Sequence, residues 1–118
     1  MRGEADFLRD MLDSALRIQR EIAGKTYSQF LGDETVQDAV VLRLIVVGEA
    51  AKKISRATRA LLPQLPFDEI ARMRDVLSHV YWRVNYQIVW ETATRDVPDV
   101  IRHVTAHLAI SGGTGSPP

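Results

Sequence analysis

Cysteine is absent from all 118 residues. Its absence removes disulfides and thiolate metal sites as supports for the fold and suits a reducing cytoplasm. Long apolar runs are missing as well. The longest, Ala39 to Ala51, is interrupted by Arg43 and Glu49 and falls short of the roughly 20 residues a membrane span needs. The opening Met1-Arg2-Gly3-Glu4-Ala5-Asp6 has no apolar stretch of the signal-peptide kind. A cytoplasmic chain without membrane contact is therefore the expectation. Excess charge is a third absence: fifteen basic and fifteen acidic residues cancel. A general nucleic-acid binder usually carries a basic excess or stripe, so the balance speaks against broad, tight RNA binding while leaving room for a short local contact. Metal-binding patterns are lacking too. His103 and His107 stand four apart, but neither HExxH nor Glu-x-x-His occurs, and no metal or other cofactor is expected. Gly112-Gly113-Thr114-Gly115 is no phosphate loop, since no strand precedes it and no helix follows.

What is present is helical periodicity, and no alternating strand pattern competes with it. The 46% hydrophobic content suits one domain, expected over residues 1–110, with 111–118 as a flexible tail of linker composition. Phe7, Met11, Ala15, Ile18 and Ile22 trace a first amphipathic helix that ends near Gly24. Asp33 offers an N-cap for a second helix running to about Ala60. Along it Val36, Val40, Leu44, Val47, Ala51 and Ile54 make one apolar stripe, and Val41, Ile45 and Gly48 a second. A helix this apolar lies central in a bundle, or serves both a core and a subunit seam. Gly48 costs about 1 kcal/mol relative to Ala in mid-helix, which close approach of another helix would offset; Ala51 and Ser55 continue its small-residue row. Pro63 and Pro66 break the chain before a third helix with Ile70, Met73 and Leu77 inward. Asn85 caps a fourth, carrying Tyr86, Val89, Trp90 and Ala93. Asp96 and Pro98 start a fifth, with Ile101, Val104 and Leu108 inward. The expected architecture is an all-α bundle of about five helices.

Chemistry concentrates in Arg74-Asp75-Val76-Leu77-Ser78-His79-Val80-Tyr81. Arginine neutralises phosphate through a planar fork, and histidine moves protons near neutral pH. Together they are the minimum equipment for cutting a phosphodiester without a metal. The same Arg-x4-His spacing recurs at Arg102 and His107, but there no carboxylate follows the arginine and no tyrosine the histidine. Basic residues also cluster at Lys52, Lys53, Arg56 and Arg59, and at Arg72, Arg74 and Arg83; a solvated helix face is the plain alternative for both groups.

The Arg-Asp-x3-His-x-Tyr stretch resembles the signature of the HepT-like branch of the HEPN superfamily, small all-helical ribonuclease toxins of prokaryotes. Val47-Gly48-Glu49-Ala50-Ala51-Lys52 is similar to the family's Ile-Gly-Glu-Ala-Ala segment. Leu65-Pro66-Phe67 resembles its Pro-Trp entry to the motif helix, with Phe in place of Trp. Asn85 through Trp90, then Val97-Pro98, match its closing portion. The resemblance implies a homodimer with paired motifs in a shared cleft. It also implies metal-independent endoribonuclease activity, in which a 2′-hydroxyl attacks and leaves a cyclic phosphate and a 5′-hydroxyl. His79 would then move the proton and Arg74 stabilise the pentavalent phosphorus. The implied setting is a toxin–antitoxin pair, with RNA as substrate and a minimal nucleotidyltransferase antitoxin that transfers AMP to Tyr81.

Helix geometry constrains that site. Arg74 and His79 are five residues apart, hence about 140° apart around a regular helix. They share one phosphate only if the helix ends near Ser78 or if two subunits assemble the site. Asp75 and His79 are i,i+4 neighbours, and a carboxylate there would fix the imidazole tautomer. Glu49 either pairs with Lys53 one turn on or reaches the motif helix; with Arg83 it is a candidate supporting residue. Tyr81 and Trp82 are alternatively core or interface aromatics. Two other functions stay open: an inactive HEPN-like module that binds nucleotide or a partner, and a structural helical dimerisation protein.

Overall fold

The computed structural model describes residues 2–79 and 84–112, with the side chains of His79, Ser111 and Gly112 excepted. Among these residues the chain is helical and no strand occurs, the all-α architecture that the periodicity predicts. Helix α1 spans Glu4–Ile22. Asp6 accepts the Gly3 N–H at 2.9 Å, occupying an otherwise orphaned donor at the helix start. The helix stops where Gly24 takes φ +74°, a left-handed conformation that glycine adopts without a Cβ penalty.

A short α2, Tyr27–Leu31, follows. Its capping box is reciprocal: Gln29 N–H donates to Thr26 Oγ1 at 3.2 Å and Thr26 N–H to Gln29 Oε1 at 2.9 Å. The buried Gln37 amide then donates to the carbonyls of Phe30 (3.0 Å) and Leu31 (2.9 Å). One polar side chain inside the core thereby satisfies the end of α2.

Helix α3, Glu34–Ala51, is the centre of the bundle. Asp33 caps it, accepting Val36 N–H at 3.1 Å. The stripe from Val36 to Ile54 is buried throughout, and the helix packs against α1 on one side and α5, Phe67–His79, on the other. α3 does not continue to Ala60 as the periodicity suggests. It stops at Ala51, and a separate turn of helix, α4, runs Arg56–Ala60.

Three groups enforce the break. Ser55 Oγ accepts Thr58 N–H at 3.2 Å and opens α4. The Arg59 guanidinium donates to the carbonyls of Ala51 and Ile54, both at 3.0 Å, closing α3. Glu4 on α1 accepts the Ser55 N–H and, at 2.9 Å, the Thr58 hydroxyl. Ser55 therefore belongs to a cap, not to a small-residue row along α3. Arg59 also lies over the Phe67 ring at 5.3 Å and pairs with Asp68 at 3.2 Å, which ties the start of α5 to the end of α3.

The segments expected as fourth and fifth helices are joined. α6, Tyr86–Glu91, passes through a π turn, Thr92–Asp96, into α7, Val97–His107, and a second π turn, Leu108–Gly112, follows. Asn85 caps α6, accepting Ile88 N–H at 3.2 Å. Asp96 has helical φ/ψ and caps nothing with its side chain, because the chain never leaves the helix there. The π register sends Val97 N–H to Thr92 O. Threonine hydroxyls add back-bonds on either side of that shift: Thr92 donates to Ile88 O at 2.9 Å and Thr94 to Trp90 O at 2.8 Å. Val89, Ala93, Val97, Val100 and Val104 line the buried face of this continuous helix. Phe30, fully buried, packs on Trp90 (ring centroids 5.2 Å) and Tyr86 (6.2 Å) and fixes α2 to it.

Candidate active site

Gly48 decides where the site is. A Cβ placed there would overlap the Arg74 Cβ and lie 2.9 Å from the Ile70 carbonyl oxygen. The missing side chain lets α5 approach α3 closely, and the contact point is Arg74 itself. Its guanidinium is thus laid across the end of α3, next to Glu49 and one turn from Lys52.

Four charges meet there. Arg74 Nε lies 2.5 Å from Glu49 Oε2. That nitrogen is buried, and its N–H is not aimed along a hydrogen bond, so the contact is one of charge more than of direction. Arg74 Nη1 donates to Asp75 Oδ1 at 3.1 Å, and Lys52 Nζ donates to the same oxygen at 2.5 Å. The Asp75 hydrogen bond, with the charge of Glu49 behind it, pushes the Arg74 pKa further above its already high value against partial desolvation. Lys52 first, and Arg74 after it, hold the Asp75 carboxyl below the usual carboxylate range. The quartet is neutral in sum and half open to solvent: Arg74 is 27% exposed, Glu49 and Asp75 both 48%.

Of the alternatives open for Glu49, the reach to the motif helix is the one observed. Its partner is Arg74, and no Glu49–Lys53 pair occurs among the described residues. Lys52 was legible only as part of a basic cluster, yet it joins the site because position 52 lies one turn beyond Gly48, on the face turned to α5. Arg59 leaves that cluster for its capping work. Arg74, Asp75 and Glu49 are brought together; the His79 side chain, Tyr81 and Arg83 lie outside the described residues. The backbone of α5 is helical through His79, so positions 74 and 79 point about 140° apart. Asp75 Oδ1 is engaged by Lys52 and Arg74, and Oδ2 faces no partner among the described residues.

Chemically the arrangement is an arginine fork held at Nε by one carboxylate and at Nη1 by another. Its Nη2 makes no hydrogen bond or ion pair among the described residues, and a planar guanidinium presented that way suits an oxyanion such as phosphate. No group of His, Asp and Glu able to hold a metal ion exists among the described residues, and no helix there is long and apolar enough to cross a membrane.

Comparison with known proteins follows the same lines. The profile of a family described as ribonuclease HepT-like matches residues 11–106. A candidate RNase of Methanocaldococcus jannaschii is 40% identical over 94 residues, which cover 80% of this chain and 78% of that protein. The probable ribonuclease HepT of Thermococcus cleftensis is 34% identical over 99 residues, 84% of this chain and 90% of its own. A candidate RNase of Caldanaerobacter subterraneus is 32% identical over 104 residues, 88% and 93% of the two chains. No solved structure matches significantly.

Proposed function

Because this chain belongs to the HepT-like ribonuclease family, we propose that it is a metal-independent endoribonuclease with Arg74 and His79 as its catalytic pair. The observation that carries the reading is the Arg74 fork, clamped by Glu49 and Asp75 with one edge left open. RNA supplies its own nucleophile. His79 takes the proton from a 2′-hydroxyl, the 2′-oxygen bonds to phosphorus, and the bond from phosphorus to the 5′-oxygen breaks. The proton goes to that departing oxygen, leaving a 2′,3′-cyclic phosphate and a 5′-hydroxyl. Arg74 neutralises the pentavalent phosphorus, where charge has built up most. Asp75 holds its second oxygen ready for the imidazole one turn on, fixing the tautomer.

The working unit is a two-fold dimer. Arg74 and His79 diverge by about 140° on one regular helix, so a phosphate is gripped by Arg74 of one subunit and His79 of its partner. Val76, 55% exposed on α5 and one turn before His79, gives the seam apolar surface. In the cell the chain acts in the cytoplasm as the toxin of a toxin–antitoxin pair. Its antitoxin is a minimal nucleotidyltransferase that transfers AMP to Tyr81, where the added phosphate occludes the cleft and competes with RNA for Arg74. Arg83 supports the same cleft.

The test is purified protein with bulk RNA in chelator, followed by end-group analysis. Cyclic phosphate and 5′-hydroxyl ends are expected, lost in His79→Ala and Arg74→Ala and retained in His107→Ala. Wild-type cutting by the His79 variant overturns the assignment. Light scattering that gives a monomer mass at micromolar concentration removes the composite site. Co-expression with a cognate minimal nucleotidyltransferase should add AMP to the Tyr81 peptide, and an unmodified peptide with full neutralisation points to inhibition by binding instead.

A further inference from the structure

Three arginines converge on a groove that the chemistry above does not use. Arg17 and Arg20 on α1 and Arg43 on α3 line a cavity of about 230 Å³ together with Glu21, Ala39 and Leu42. Arg17 shares its charge with Asp13 at 3.3 Å, both well exposed, a kind of pair that holds little energy. Arg20 and Arg43 have no ion-pair partner among the described residues. A chain with no net charge attracts a polyanion only where its cations are gathered, and a groove whose three arginines outnumber its one lining carboxylate, Glu21, is such a place.

The groove leads to the candidate active site. α1 and α3 pack along their length, and the next depression between them is lined by Phe7, Ile45, Val46 and Ala50, with Asp10, Lys53 and Glu49 at its rim. Glu49 is the residue that holds Arg74. At 1.5 Å per residue, Arg43 stands roughly 9 Å from Glu49 along the α3 axis. Cations and an apolar floor thus follow one another along the α1–α3 seam, and Glu49 at the rim of that floor joins them to Arg74 on α5. Alternation of cationic grip and apolar or aromatic platform is what a single nucleic-acid strand requires, its phosphates meeting the former and its bases the latter. The guanidinium fork suits phosphate oxygens bidentately.

We propose that the α1–α3 groove is an RNA exosite, with Arg17, Arg20 and Arg43 gripping backbone phosphates flanking the cut and the Phe7–Ile45–Val46 floor receiving a base. The inference rests on the ribonuclease reading for its choice of polyanion. Its test measures binding separately from cleavage. A fluorescent single-stranded 2′-O-methyl oligoribonucleotide, which lacks the attacking hydroxyl, is titrated by anisotropy across a salt series. Removing two phosphate contacts in Arg20→Ala/Arg43→Ala should flatten the slope of log affinity against log salt by about 1.4 and weaken binding roughly ten- to thirtyfold at 0.1 M salt. On cleavable RNA the same variant should raise KM and leave kcat unchanged. Arg102→Ala, an exposed arginine paired with Asp99 on α7, should change neither, and Arg20→Lys/Arg43→Lys should retain most of the slope. Unchanged affinity and slope in the alanine double variant overturn the exosite. Arginine-dependent binding by a protein that never cuts RNA would keep the exosite and sink the ribonuclease reading. No binding by the wild type removes the exosite outright.

Discussion

Replacing Gly48 by alanine adds one methyl group, and the structure says where it goes. The new Cβ would occupy the space of the Arg74 Cβ, 2.9 Å from the Ile70 carbonyl oxygen and 3.1 Å from Arg74 Cγ. Neither neighbour is the loose end of a side chain: one is backbone and the other the root of Arg74. Relief has to come from α5 moving off α3. Overpacking of this kind costs about 1–3 kcal/mol, and more where backbone must shift. Against it stands a gain of about 1 kcal/mol from exchanging glycine for alanine inside a helix. Taking the upper part of that range, we expect a net loss of about 2 kcal/mol, or a fall in Tm of roughly 8–10 °C for a domain this size. Urea and thermal unfolding measure it. Cleavage should fall too, at temperatures where the variant is folded, because the displaced element carries Arg74. Unchanged or higher stability would refute the close-approach argument, since propensity alone pushes that way. Lower stability with full activity would show that the helix contact does not position the arginine.

Glu49→Gln keeps the shape of the clamp and removes its charge, so kcat on RNA should drop at least tenfold with KM little changed; an unaltered kcat in steady-state kinetics would show that Glu49 does not hold Arg74 for catalysis. Glu4→Gln should flatten the acid limb of stability. The Ser55 N–H above all holds the Glu4 carboxyl below its ordinary value of 4.5, so its contribution is complete above that pH and disappears as pH falls through the lower folded value. Urea midpoints should therefore diverge between wild type and variant near neutrality and converge in acid, and parallel curves would refute the linkage. Phe30→Ala empties a site that is fully buried between Tyr86 and Trp90, and chemical denaturation should register a loss of about 3–5 kcal/mol; a loss under 1 kcal/mol would mean the aromatic cluster collapses without cost.

The parts of this architecture that local chemistry controls were readable from residue order. Asp33, Asn85 and Gly24 mark helix ends because each needs only its immediate neighbours to cap or turn the chain. The α3 stripe was readable for the same reason, and so was the meaning of Gly48, since a mid-helix glycine has little other use in a well-packed bundle. The break after Ala51 was not. Lys52, Lys53 and Ile54 carry no helix-breaking residue, and Ile54 keeps the phase of the buried stripe. What ends α3 comes from Arg59 eight residues on and from Glu4 about fifty residues back, and no periodicity reports contacts at that separation. Lys52 escaped for a related reason: its role depends on where Asp75 lies across the α3–α5 seam. The joining of the last two helices was hidden by Pro98, which reads as a start signal after a break but also fits the first turn following a π register.

That π turn has a further meaning. Val89, Ala93 and Val97 are buried at successive steps of four, and in a uniform α-helix two such steps would swing the buried face by about 80°. The wider turn at Thr92–Asp96 absorbs that swing between Val89 and Val97. In length the helix therefore behaves as an α-helix carrying one surplus residue, stored beside the aromatic cluster. Such a helix has slack. Deleting exposed Thr94 would return the segment to ordinary α geometry, whereas inserting a residue there would have nowhere to be taken up. Length change at this point is asymmetric, and the packing of α7 on α1 is insulated from the loss of a residue here that would shift the buried face of a uniform α-helix.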